Sequence, residues 1–166
     1  MSTLTDSPPG LTFAETELAA WQGFLRAHAA LVKTLDSELE AAHGLALSSY
    51  EVLAALDCAP ERRMRMCDLA ERALLSRSGL TRLVDRLERG GLIARACCDD
   101  DARGSFAVLT STGARALGAA RTTYLAAVRR RFLDQFDEAD RARLGSGWDR
   151  VLAANADSRS SRGCCG

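Results

Sequence analysis

Ser76-Arg77-Ser78-Gly79-Leu80-Thr81-Arg82-Leu83-Val84-Asp85-Arg86-Leu87-Glu88-Arg89-Gly90-Gly91 is the stretch that decides the fold. Leu80, Leu83, Val84 and Leu87 recur at i, i+3, i+4 and i+7, so at about 100° per residue they line one side of a helix and face a core. The other side displays Ser78, Thr81, Arg82, Asp85 and Arg89. Ser76 is placed to cap the helix start, and the Gly90-Gly91 pair ends it.

The period changes after that helix. Leu92 to Ala96 and Ser105 to Leu109 read as two short extended runs around a polar loop, Cys97 to Gly104, which predicts a β-hairpin. Before it, a short helix from Cys67 to Ala73 carries Leu69, Ala70 and Ala73 inward, and a break at Leu74-Leu75-Ser76 separates the two helices. Asp57 to Met64 reads as a turn around Pro60. Ser48 with Glu51 predicts a capping box opening a helix through Leu56, with Tyr50, Val52, Leu53 and Leu56 buried.

Longer helices flank this unit. Thr12 with Glu15 predicts a first cap, and Leu18, Trp21, Leu25, His28, Val32, Leu35 and Leu39 follow in alternating steps of three and four from about residue 13 to 42. Such a seam is longer than one small domain needs for its own packing, so a helix of a second subunit is expected to cover part of it. Gly44 closes that helix. Thr110 caps a long helix expected to reach about Phe136, and Asp137 caps a last one to about Ala154. Residues 1–11 read as a flexible start, and the Ser/Arg/Gly-rich residues 155–166 as a disordered tail.

Composition bounds the function. The chain has 166 residues, 47% hydrophobic and 27% charged, which suits one globular domain, and it holds no apolar run long enough for a membrane span or a secretion signal. A cytoplasmic protein with reduced thiols is therefore expected, although there are six cysteines. Twenty-two basic residues cancel 22 acidic ones, but unevenly: residues 1–57 sum to −6, 61–104 to +2 and 105–166 to +4. Lys33 is the one lysine among the basic residues. Arginine's planar fork suits both phosphate and guanine edges. No Gly-rich phosphate loop, nucleophile elbow or convergent Ser/His/Asp set appears, so the chain reads as no enzyme.

Helix, short helix, turn, amphipathic helix and hairpin in this order describe a winged helix-turn-helix, mainly α with a small β-hairpin wing. A helix entering the major groove of double-stranded DNA needs small residues at its start and forked or hydroxyl donors on one side. Ser76, Arg77, Ser78, Thr81 and Arg82 meet that need, with Arg86 set for a backbone phosphate and Arg95 a further DNA-binding candidate. Arg103 at the hairpin tip is the candidate for the minor groove. Asp85 and Asp101 are expected to support the wing by holding an arginine in place.

The stretch Met66 to Arg72, then Leu75 to Ile93, Asp101-Ala102-Arg103, and Leu109-Thr110 with Gly113, resembles the MarR family of bacterial transcriptional regulators. The resemblance implies an obligate homodimer on a pseudo-palindromic operator, acting as a repressor that a small phenolic or acidic effector releases. It implies a helical dimerisation region at 12–43 and 111–154 and a DNA-binding unit at 45–110. Arg103 matches the family's wing arginine and Asp101 its acidic partner, while Ala102 departs from the pattern, which implies a weaker wing.

Other readings of particular residues accompany this one. Trp21, His28 and Tyr50 could line an effector pocket, against the plainer reading as core aromatics. Cys97 and Cys98 could make the wing redox-sensitive, against the plainer reading as small loop residues. His28 and His43 lack ligand spacing, so no metal and no cofactor is expected. A helical protein-interaction module without DNA is the remaining alternative. Its wing would expose apolar residues, where this one offers Ser, Thr, Arg and Asp.

Overall fold

The computed structural model describes residues 12–73, 75–97 and 105–156. Six α-helices and a three-stranded sheet follow in the order α1 (Glu15–His43), α2 (Leu47–Asp57), β1 (Arg63–Arg65), α3 (Met66–Arg72), α4 (Arg77–Arg89), β2 (Ile93–Cys97), β3 (Ser105–Leu109), α5 (Ser111–Arg131) and α6 (Glu138–Ala154). Short 3-10 turns stand at Pro60–Arg62 and Leu133–Gln135.

The core sits where α2, α3, α4 and the sheet converge. Val52, Leu53, Leu56, Leu69, Leu80, Val84 and Ile93 are almost fully buried, joined by Leu39 of α1 and Leu117 of α5. The stripe Leu80, Leu83, Val84 and Leu87 is inward as its spacing demands, which turns the polar side of α4 to solvent. Burial of side chains this size contributes about 1.5–3 kcal/mol each.

In the sheet, β3 lies between β1 and β2, antiparallel to both. The register pairs Ile93 with Leu109, Arg95 with Ala107, and Arg65 with Phe106. Opposed residues share a face. Met64, Ala107, Ile93 and Leu109 therefore face the core, and Arg63, Arg65, Phe106 and Val108 the outside.

Three caps differ from the sequence reading. α1 begins on Ala14, not Thr12: the Ala14 N–H donates to Glu17 Oε2 at 2.8 Å, so the returning carboxylate comes two residues later than expected. α2 starts on Ala46 with no side-chain cap of its own; its Leu47 N–H donates instead to Asp36 Oδ1 of α1 at 2.8 Å. A tertiary acceptor has replaced the local one that Ser48 offered. The long helix after the hairpin stops at Arg131, because Phe132 leaves helical geometry at φ −127°. The caps at Ser76, Thr110 and Asp137 stand as expected, each accepting a backbone N–H three residues on.

The start of α5 is fastened to the turn that ends α4. Thr110 Oγ1 donates to the carbonyls of Gly91 at 2.7 Å and Leu92 at 3.1 Å. Gly113 lies against the same turn, where a Cβ would collide with the Leu92 carbonyl and reach 2.8 Å from Leu109 Cδ1. Gly91 itself turns at φ +68°, a conformation that favours glycine.

Candidate nucleic-acid interface

α4 offers a capped, exposed start. Ser76 Oγ accepts from the Gly79 N–H at 3.1 Å and lies 3.3 Å from Ser78 Oγ, while Thr81 Oγ1 donates to the Arg77 carbonyl at 2.9 Å. Ser76, Arg77, Ser78, Thr81, Arg82 and Arg86 are exposed, on the side away from the buried stripe. Arg82 and Arg86 have no ion-pair partner among the described residues, so their guanidinium groups are available to an anion.

The wing is braced by α4. Arg95 Nη2 donates to Asp85 Oδ1 at 2.6 Å, its Nη1 lies 3.6 Å from Glu88 Oε2, and its backbone N–H donates to Glu88 Oε1 at 3.3 Å. Asp85, which the sequence suggested as wing support, contacts Arg95 of β2. Arg95, read from the sequence as a DNA-binding residue, is engaged by Asp85 and Glu88 of α4. Glu88 is a member of this set that the sequence reading passed over, because nothing in its helical position singles it out. Arg103, Asp101 and Cys98 lie outside the described residues; Cys97 ends β2.

The residues suggested for an effector do not come together. Trp21 and His28 flank Phe24 at ring-centre distances of 5.9 and 6.1 Å, and Phe24 meets Trp148 of α6 at 5.0 Å. Tyr50 instead stacks on Tyr124 at 4.4 Å, between α2 and α5. Burial pushes both phenols up. Beside them Asp57 accepts from Arg121 Nη2 at 2.9 Å and pairs with Arg62 Nε at 3.3 Å. This ties α5 to the end of α2 and the turn before β1. An open apolar groove of about 710 Å³, lined by Phe136, Leu144, Trp148 and Val151 among others, follows α6.

His43 Nε2 is 2.8 Å from Thr123 Oγ1, a helix-to-helix hydrogen bond. Among the described residues no group of three or more metal-ligating side chains assembles, and no helix is long and apolar enough to cross a membrane.

Amphipathic α4 on a helix-turn-helix, with a three-stranded sheet braced against it, defines a winged-helix protein. A family model described as MarR family matches residues 43–104. The crystal structure of AbsC, a MarR family transcriptional regulator from Streptomyces coelicolor, superposes with a TM-score of 0.80 at 32% identity, over 92% of this chain and 99% of that one. That of Sco3205, a MarR family regulator from the same organism in complex with DNA, gives 0.85 at 29% identity, over 94% and 96%. The transcriptional regulator PapX of Escherichia coli is 31% identical over 97 residues, a match spanning 57% of this chain and 59% of PapX. The chain belongs to the MarR family: it is a transcriptional regulator of the DNA-binding, winged-helix class and not an enzyme.

Proposed function

We propose that this chain acts in the cytoplasm as a homodimeric repressor on a pseudo-palindromic operator. Residues 45–110 form the DNA-binding unit, and 12–43 with 111–154 the dimerisation region. The observation that carries the reading is the polar side of α4, where Ser78, Thr81, Arg82 and Arg86 stand exposed together with the last two free of ion pairs among the described residues. Ser76, Arg77, Ser78, Thr81 and Arg82 then lie in a major groove, Arg86 on a phosphate, and Arg103 in the flanking minor groove. Half-sites fall about one helical turn, roughly 10 bp, apart. The complex of Sco3205 with DNA supports this use of the fold.

Release by a small phenolic or acidic compound belongs to the same reading. Tyr50 and Tyr124, stacked at 4.4 Å with Arg121 held by Asp57 beside them, mark the join of α2 and α5 where such a compound would act.

Selection of bound fragments from the source organism's genomic DNA, followed by titration of variants on the selected duplex, tests the proposal. Arg82→Ala is expected to cost about 1–3 kcal/mol and to relax sequence preference, while Arg86→Ala weakens all sequences alike. If both variants bind as the unmodified protein does across a salt series, this side of α4 is not the DNA surface.

A further inference from the structure

We propose that Arg65, with Arg63 behind it, forms a second phosphate-binding surface, on the outer face of the sheet, that holds the duplex backbone beside the wing. This rests on the DNA-binding reading and extends it to residues outside α4 and the wing loop.

Both guanidinium groups lie over one ring: Arg63 Cζ is 5.2 Å and Arg65 Cζ 5.6 Å from the centre of Phe106. A cation over an aromatic face is attracted to it and gives up part of its rotational freedom before any ligand arrives. The two arginines differ in what balances them. Arg63 Nε pairs with Glu61 Oε2 at 3.0 Å. Arg65 is held over the ring and has no ion pair among the described residues. Its side chain takes no part in capping α3, which leaves the guanidinium open to a partner.

Position selects the partner. Register sets Arg65 opposite Phe106, next to Ser105, the first residue of β3 after the hairpin loop. Arg65 therefore stands at the same end of the sheet as the wing tip, and immediately precedes α3, the first helix of the helix-turn-helix. A duplex engaged by α4 and the wing passes this end of the sheet. Its backbone is an anion that a planar fork contacts without regard to sequence. Such a contact adds affinity equally at operator and unrelated sites.

Titrations of the full-length protein on its selected operator and on an unrelated duplex, each over a salt series, test this. Arg65→Ala should make the slope of log affinity against log salt shallower by about 0.9 for each phosphate it no longer neutralises, and weaken both duplexes by the same factor. Phe106→Leu should weaken both duplexes while Phe106→Tyr, which keeps the ring, binds as the unmodified protein does. Melting temperatures within error of one another for Arg65→Ala and the unmodified protein exclude a folding defect; Arg65→Gln serves if they differ. If Arg65→Ala and Arg65→Gln keep the full slope while Arg82→Ala is impaired, the second surface is absent and the α4 reading stands. If the unmodified protein binds no duplex at all, both fall together.

Discussion

Asp85 on α4 and Arg95 on β2 meet at 2.6 Å, and Glu88, one turn further along α4, closes on the same guanidinium at 3.6 Å. These contacts tie α4 to strand β2. All three side chains keep about a third or more of their surface in water. Pairs so exposed contribute about 0–1 kcal/mol to stability. The expected effect of Asp85→Ala is therefore small on melting temperature and larger on binding: freeing Arg95 lets the wing drift and lowers operator affinity, and discrimination among the bases that flank the α4 site is the first property to fade. Thermal unfolding beside a gel-shift titration separates the two. An Asp85→Ala protein with full operator affinity and unchanged flank preference would show that the brace does not position the wing.

Gly113 makes a different kind of contact, between α5 and the turn after α4. A methyl group there meets the Leu92 carbonyl and Leu109 Cδ1, and a carbonyl hydrogen-bonded to Thr110 Oγ1 cannot simply move aside. Overpacking of this kind costs about 1–3 kcal/mol. Gly113→Ala is expected to lower the melting temperature by several degrees, whereas Gly118→Ala in the same helix, where nothing lies within 4 Å, should leave it unchanged or raise it. Equal melting curves for the two variants would contradict the close approach.

These contrasts show what was readable in the chain. The stripe Leu80, Leu83, Val84 and Leu87, the caps at Ser76, Thr110 and Asp137, and the hairpin were legible because each depends on spacing within a few residues. The Leu47 N–H finds its acceptor in Asp36, eleven positions back, and local pattern cannot announce such a partner. Strand β1 escaped for a related reason: three residues, Arg63-Met64-Arg65, are too few to show a period, and pairing with β3 creates them as a strand. With β1 hidden, the meeting of Arg63 and Arg65 over Phe106 was hidden too. Arg95 was recognisable as a cation near the DNA side, but its carboxylates emerge only when the hairpin folds back on α4.

Glu38 sets a pH dependence. Its carboxylate accepts from Arg130 Nη2 at 2.8 Å and from Arg131 Nη2 at 3.0 Å, and these hydrogen bonds hold its pKa below the usual carboxylate range. A carboxyl lowered by folding contributes stability above its unfolded pKa and loses it as pH falls through the folded value. The α1–α5 clamp is thus intact at neutral pH and released in acid. Glu38→Gln is expected to melt earlier than the unmodified protein at pH about 7, with the gap closing as pH falls below the ordinary glutamate value of about 4.3. Thermal melts across that range check it; a gap that is constant with pH would mean the carboxylate's charge contributes nothing.

The unsatisfied surface lies on α1 and α6. Trp21 is 54% exposed and Leu152 62%, and Leu18, Phe24, Leu25, Trp148 and Val151 join them in leaving apolar area to water. Phe24 and Trp148, in contact at 5.0 Å, join the two helices into one apolar surface. Apolar area joined in this way supports the proposed dimer interface, and the three-four seam of α1 suits a helix from a second copy. Placing a charge at its centre should therefore separate the copies: Trp148→Glu combined with Val151→Glu is expected to sediment as a monomer at micromolar concentration where the unmodified protein sediments as a dimer. The winged unit buries its own core and should keep its helical signal, yet the monomeric variant should prefer single half-sites and forgo the advantage of a paired operator. Should the unmodified protein itself prove monomeric at tens of micromolar by sedimentation, on the order of the concentrations where weak dimers form, the two-fold operator has no physical basis in this chain.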